Sequence, residues 1–254
     1  MAKCKNAAAG LRLFDCYALS GVAKRPPMAP LMSANDLLAE MDLCGVDEAL
    51  VHSEAAEGVS PLVTNVEVAE FCKPHRRLHP VWHVLPSQTG EMTPAGLFAQ
   101  MRARGVKALA ARPDDHRYLL NGITLGDLLE AMIERRVPLF VGANWARVTE
   151  LLREFPRLRV IVADVGCWGP DRFLRPLLEH FEGFHFETSS FELDGGLPSL
   201  VGKYGPERIL FGSGCHRRPM GGASLLLRNV DIPGEAREQI AHGNLERLLE
   251  ESNP

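Results

Sequence analysis

The sequence predicts an α/β protein folded as one (β/α)8 TIM barrel over residues 1–254. Three observations carry this reading. Short β-type runs alternate with amphipathic helical runs along almost the whole chain, the mark of parallel βα units. Eight such units can be counted, the number that closes a barrel. No GxGxxG or Walker sequence follows an early strand, as an open doubly wound sheet would require for phosphate binding. With 46% apolar and 24% charged residues in 254, the chain can bury one large core, so a single domain is more economical than two small ones.

The strands are expected at residues 11–17, 48–52, 78–84, 106–110, 138–141, 160–164, 184–188 and 208–212, each a short apolar or β-branched run. The helices between them carry readable start signals. Ser33 precedes ANDLLAEMDLCG, Thr93 precedes PAGLFAQMRARG and Thr124 precedes LGDLLEAMIERR, each hydroxyl standing where an N-cap is expected. Gly45 and Gly105 stand where the first two helices should stop. Over residues 127–136, Leu128, Ala131 and Met132 share one face, so this helix should cover the outside of the sheet. Residues 24–31 are rich in proline and read as a loop at the barrel mouth.

Composition excludes several partners. The net charge is -4 and the basic residues are scattered, so no stripe follows a phosphate backbone and nucleic acid is not an expected partner. No segment approaches the roughly 18 apolar residues of a membrane span, and the first residues lack the apolar stretch of a secretory signal. Six cysteines, Cys4, Cys16, Cys44, Cys72, Cys167 and Cys215, are widely spaced with no CxxC pair. A cytoplasmic location is expected.

In order, the segments MDLCGVDEALV, RRLHPVWHVLP, GVKALAARP, VPLFVGAN, FPRLRVIVADVG, FHFETSS, GPERILFGSG and IAHGNLERLL resemble the amidohydrolase-related (amidohydrolase 2 type) family of metal-dependent hydrolases. GPERILFGS and the terminal GN-x-x-RLL are the most specific of them. The resemblance implies an amidohydrolase-like barrel with its chemistry at the C-terminal ends of the strands. It also implies metal ligands: an HxH pair after the first strand, histidines after the fifth and sixth, and an aspartate after the eighth. There the ion acidifies a bound water and the aspartate takes its proton. In this sequence those positions fall on Tyr17 and Leu19, Gly142, Asp164, and Gly214. Leucine and glycine have no donor atom, so only Tyr17 and Asp164 can contribute even weak ligands, and no metal or other cofactor is expected.

Other polar residues should reach the same rim. Asp164 is a candidate general base, or a solvated loop aspartate. His83 and His52 end the third and second strands and can transfer protons near neutral pH, or serve as structural histidines. In FHFETSS, Phe184 and Phe186 share one face and His185 and Glu187 the other. Glu187 should therefore face the barrel interior, where burial would raise its pKa; pairing with an arginine is the alternative. Tyr17 can polarise a carbonyl or fill the space of a metal. Arg112 is the preferred fork for a carboxylate, with Asn144 and His216 as further binding groups; Arg217 and Arg218 read as solvated loop charges. Cys16, Cys167 and Cys215 lie near strand ends, where a thiolate or a Cys/His zinc site is conceivable, though such cysteines are usually small buried hydrophobes.

Taken together, these residues predict a metal-independent hydrolase or lyase acting on a small anionic carboxylate or lactone, with Asp164, His83, Glu187 and Tyr17 catalytic and Arg112, His52, Asn144 and His216 binding. One alternative is a non-catalytic barrel that binds a metabolite or protein partner, its pocket filled by Tyr17, Trp168 and Met220. Another is a relocated metal, which needs three of His52, His83, Asp164, Cys167, Glu187, Cys215 and His216 to converge. Barrels resembling this one are often homodimers, and a homodimer is expected by analogy.

Overall fold

A computed structural model describes residues 10–21, 33–192 and 195–254. The strands are β1 (Phe14–Ser20), β2 (Glu48–Ser53), β3 (Leu78–His83), β4 (Ala108–Ala111), β5 (Leu139–Gly142), β6 (Val160–Ala163), β7 (Phe184–Glu187) and β8 (Ile209–Leu210). They form one sheet in sequence order, each parallel to the next. Beyond β8 the sheet turns back on β1: Cys16 N–H donates to the Phe211 carbonyl at 2.8 Å and Gly214 N–H to the Tyr17 carbonyl at 2.9 Å. The result is a (β/α)8 TIM barrel.

The pleat explains where the core sits. Alternate residues such as Cys16, Leu50, Val81, Ala110, Phe140 and Ile161 fill the barrel interior, and Leu245 and Leu248 of the helix Asn244–Glu250 pack into the same cluster. Their neighbours, including Val51, Trp82, Leu109, Val162, Phe184 and Phe186, face the surrounding helices. Burying each such side chain contributes about 1.5–3 kcal/mol. The two faces keep β7 in register, with the phenylalanines outward and Glu187 inward.

Local signals place most elements. Ser33 accepts from Asp36 N–H and Asp36 reaches back to Ser33 N–H, a capping box on Ala34–Cys44,. Gly45 and Gly105 end their helices at φ 67° and 68°, a conformation that glycine adopts without steric penalty. The third start signal lies elsewhere than expected. Helix Gly122–Arg135 is capped by Asn121, whose side chain accepts from Thr124 N–H at 3.2 Å, so Thr124 sits inside the first turn. Leu128 and Met132 are buried as the helix periodicity requires, with Ala131 half-buried beside them. Among the described residues, no helix is long and apolar enough to cross a membrane. The proline-rich stretch 24–31 lies outside the described residues.

Two strand positions differ from expectation. β1 begins at Phe14, after Leu13 N–H is taken by the Asp47 carboxylate at 2.8 Å, and runs on to Ser20 past a slip in its pairing with β2 between Asp15 and Ala18. The buried Asp15 carboxylate satisfies backbone groups at this irregularity, accepting from Tyr17 N–H and Ser213 N–H at 2.9 Å each. β8 shortens to two residues because Phe211 N–H donates to the Ile240 carbonyl instead of extending the ladder.

Candidate active site

The strand ends open into a cavity of about 370 Å³ whose lining includes Tyr17, His52, His83, Arg112, Asn144, Asp164 and Arg217, with Phe140 among its apolar residues. These side chains come from strands or loops spread round the whole barrel, so the fold converges them although the sequence separates them. Trp168, 94% exposed, and Met220, buried in the helix layer, do not fill this space.

At the β1 and β2 ends, the rings of Tyr17 and His52 meet edge-on at 5.0 Å, and His52 meets Phe140 edge-on at 4.7 Å. His52 Nε2 lies 3.1 Å from the Cys16 carbonyl and must donate to it, leaving Nδ1 with the lone pair. Burial pushes the His52 pKa down to about 3, so the imidazole is a neutral acceptor. Burial raises the Tyr17 phenol, while the charges of Arg112 and Arg217 pull it back. Tyr17 therefore remains a neutral donor within the field of two guanidiniums.

His83 is held from both sides. Asn65 accepts from its backbone N–H at 2.8 Å and donates to its carbonyl at 2.9 Å. Arg112 Nε–H donates to its Nε2 at 3.2 Å, which places the ring proton on Nδ1, a buried atom without a partner among the described residues. Burial first, and then Arg112, hold its pKa well below the usual histidine value.

Behind the cavity runs a charged network. Arg112 donates to Glu57 at 3.1 Å, and Arg217 donates to both Glu54 and Glu57. Arg217 thus lines the cavity instead of standing as a solvated loop charge. His216, expected to bind substrate, is buried behind Glu54 with Nε2 3.1 Å from Oε2 and is not part of the lining. The β8 loop turns its side chain away from the opening. Asn144 caps helix Trp145–Glu154 by accepting from Arg147 N–H at 3.2 Å, while Arg147 binds Asp114 through two bonds of 2.8 and 2.7 Å.

Asp164 stands at φ 55°, a left-handed conformation that aspartate tolerates better than most residues. Its side chain is 46% exposed and accepts from Arg218 at 2.9 Å. Beneath it Glu187 is wholly buried. Glu187 Oε1 accepts from Asp164 N–H at 2.6 Å and Ser189 Oγ–H at 2.8 Å, and Oε2 accepts from Ser189 N–H at 2.6 Å. Burial outweighs these bonds and pushes the pKa up to about 7. Among the described residues no arginine pairs with Glu187, so the ion-pair alternative fails: serine and backbone donors surround it. A Cβ on Gly212 would collide with its Oε2, so the absence of a side chain there makes room for the carboxyl. Glu187 lies below the cavity and does not line it.

The positions aligned with the family's metal ligands do not make a donor set. Leu19 is buried, Gly142 and Gly214 offer no side-chain atom, and one Asp164 oxygen already accepts from Arg218. Among the described residues, no group of three or more His, Cys, Asp or Glu is placed to hold an ion elsewhere. Burial pushes the Cys215 thiol up to about 12 and that of Cys16 well up, which opposes thiolate chemistry; Cys167 is exposed.

Residue types alone do not single out Glu54, Glu57, Asp114 and Arg147. For the first two the signal was the position of SEAAEG directly after β2, where a barrel places functional loops.

The chain is similar to an uncharacterized TIM-barrel protein from Bordetella bronchiseptica, with 16% identity, 96% of this chain and 100% of that one covered, and a TM-score of 0.77. It is similar to 2,6-dihydroxybenzoate decarboxylase from Rhizobium, with 16% identity, 95% and 98% covered, and a TM-score of 0.76. It is also similar to 5-carboxyvanillate decarboxylase from Sphingomonas paucimobilis, with 15% identity, 95% and 99% covered, and a TM-score of 0.73. At these identities the likeness shows the fold. No curated protein sequence matches the chain. The sequence model of the amidohydrolase family matches residues 22–250, and the chain belongs to that family.

Proposed function

We propose that this chain is a metal-independent hydrolase or lyase acting on a small anionic carboxylate or lactone. The observation that carries the reading is the convergence of Arg112, Arg217, Tyr17 and a neutral His52 on one cavity at the C-terminal strand ends. The named substrates of the solved structures, a dihydroxybenzoate and a carboxyvanillate, are small carboxylates and support the same class. Unpaired cysteines support a cytoplasmic setting, and a homodimer rests on family analogy.

Each group has a role in the hydrolysis of a lactone. Arg112 donates to the ligand carboxylate, with the Asn144 amide as a further donor, while the His52 Nδ1 lone pair can accept from a ligand hydroxyl. Asp164 takes a proton from water as the water oxygen bonds to the carbonyl carbon. The carbonyl electrons move onto oxygen, where the Tyr17 hydroxyl stabilises the charge. Collapse breaks the ring C–O bond, and the leaving oxygen receives the proton from Asp164. Glu187 sits below Asp164 and holds its backbone by accepting from the Asp164 N–H. His83, engaged by Arg112, orients that guanidinium.

The test is hydrolysis of a panel of small lactone and ester carboxylates by the wild type and by Asp164→Asn. The substitution should lower kcat by at least about 10²-fold, the usual weight of a general base, with an unchanged circular dichroism spectrum. Activity that survives it rejects Asp164 as the base. Chelator should leave the rate unchanged; loss on chelation with recovery on adding zinc rejects the metal-independent reading. A binding-only protein is favoured by one observation: Asp164 and His83 are already engaged by Arg218 and Arg112. Saturable binding of a lactone carboxylate without turnover would decide for it.

A further inference from the structure

We propose that Glu57 is a positioning residue, fixing Arg112 and Arg217 as a two-fork clamp for one carboxylate; the inference rests on the carboxylate-binding reading above. Arg112 follows β4 and Arg217 follows β8, so the two cations arrive on unrelated loops. Like charges repel, most strongly where water is scarce, and Arg112 and Glu57 are each only 18% exposed. One atom holds the cations together: Glu57 Oε1 accepts from Arg112 Nη1 and from Arg217 Nη2. Sharing one oxygen sets the two guanidiniums side by side, so that both can address a single ligand carboxylate.

The other nitrogens are divided so that each guanidinium keeps one nitrogen for a ligand. Arg112 Nε is taken by His83 and Arg217 Nε by Glu54. Arg112 Nη2 and Arg217 Nη1 make no protein hydrogen bond among the described residues, and both side chains line the cavity with Tyr17. Glu57 itself is held firmly. It closes the 3-10 turn Ala55–Glu57, directly after β2, where its N–H donates to the Glu54 carbonyl at 3.1 Å and the Ala56 carbonyl accepts from His116 Nε2 at 2.7 Å. The acceptor is thus preorganised, and the entropy of ordering two long side chains is spent before the ligand arrives.

Position and charge can be separated by substitution. Glu57→Gln keeps an oxygen at the same reach and removes the charge, whereas Glu57→Asp keeps the charge and draws it back by one methylene. Calorimetric titration of the full chain would use benzoate, with benzamide as its uncharged counterpart and thermal melting to follow the fold. The wild type should prefer benzoate. Glu57→Asp should lose about tenfold of benzoate affinity, with benzamide unchanged, and Glu57→Gln should hold within about threefold. Retained affinity in Glu57→Asp, or an equal loss in Glu57→Gln, overturns the positioning role while the carboxylate site stands. A wild type that does not prefer benzoate overturns the carboxylate reading and the clamp with it.

Discussion

Glu187 offers a sharp test of the electrostatics beneath the site. Its pKa is raised from 4.5 to about 7 by burial, so the folded protein holds a proton that the unfolded chain releases. Between those values the native state binds more protons than the unfolded state, and stability must fall as pH rises. A rise of this size makes the ionised form about 3 kcal/mol harder to hold in the folded protein. Glu187→Gln cannot ionise and should lack that slope. It should be less stable than wild type at pH 4.5, because Asp164 N–H and Ser189 N–H donate to different carboxyl oxygens, glutamine keeps only one accepting oxygen, and one unmet buried donor costs about 1–3 kcal/mol. As pH rises to 8 the difference should close or reverse. Urea unfolding at fixed temperature, with wild type and variant compared at each pH, cancels the other titrating groups. A stability difference that stays constant from pH 4.5 to 8 would refute the raised carboxyl.

Burial lowers His52 to about 3 and His185 to about 4, while unfolded histidines titrate near 6.5. The unfolded chain therefore binds the extra protons first, and stability should fall as pH drops below about 6.5; a flat urea midpoint between pH 6.5 and 5 in the Glu187→Gln background would contradict this. Gly212→Ala should destabilise by about 1–3 kcal/mol, because its Cβ would overlap Glu187 Oε2,. The same substitution should cost much less beside Glu187→Ala, and additive losses in that double mutant would show that the clash lies elsewhere.

Most of the barrel is legible because strands and helices report through periodicity. The apolar run 160–163 marks a strand and the alternation in FHFE its inward face, and Glu187 is found inside as that alternation requires. What escapes is set by contacts without a period. β1 begins later than its composition indicates, where the Asp47 carboxylate takes the Leu13 N–H across 34 positions, a contact with no sequence period. Glu187 takes serine and backbone partners instead of an arginine because the chain after β7 folds back upon it. The sequence position of His216 puts it near the rim, but proximity to a strand end does not say which way a loop side chain turns, and this one turns toward Glu54. Glu54 and Glu57 acquire meaning only once two arginines from later loops arrive beside them.

The charges at the mouth also limit what chemistry can be asked of it. Arg112, Arg147, Arg217 and Arg218 are each backed by a carboxylate. A guanidinium so held can orient an anion and stabilise an oxyanion, but it has no open coordination position in which to acidify water as a metal does. In the proposed reaction a carboxylate activates the water, and Asp164, which lines the cavity, has an oxygen beyond the one given to Arg218. A carboxylate activates water less than a metal ion does, so the electrophile must supply more of the reactivity. Lactones and activated esters meet that demand, whereas an unactivated amide, with a poorer leaving group, does not. A barrel with this mouth should thus turn over an ester or lactone carboxylate far faster than the matching amide, and equal rates on the two would require a nucleophile stronger than water assisted by Asp164.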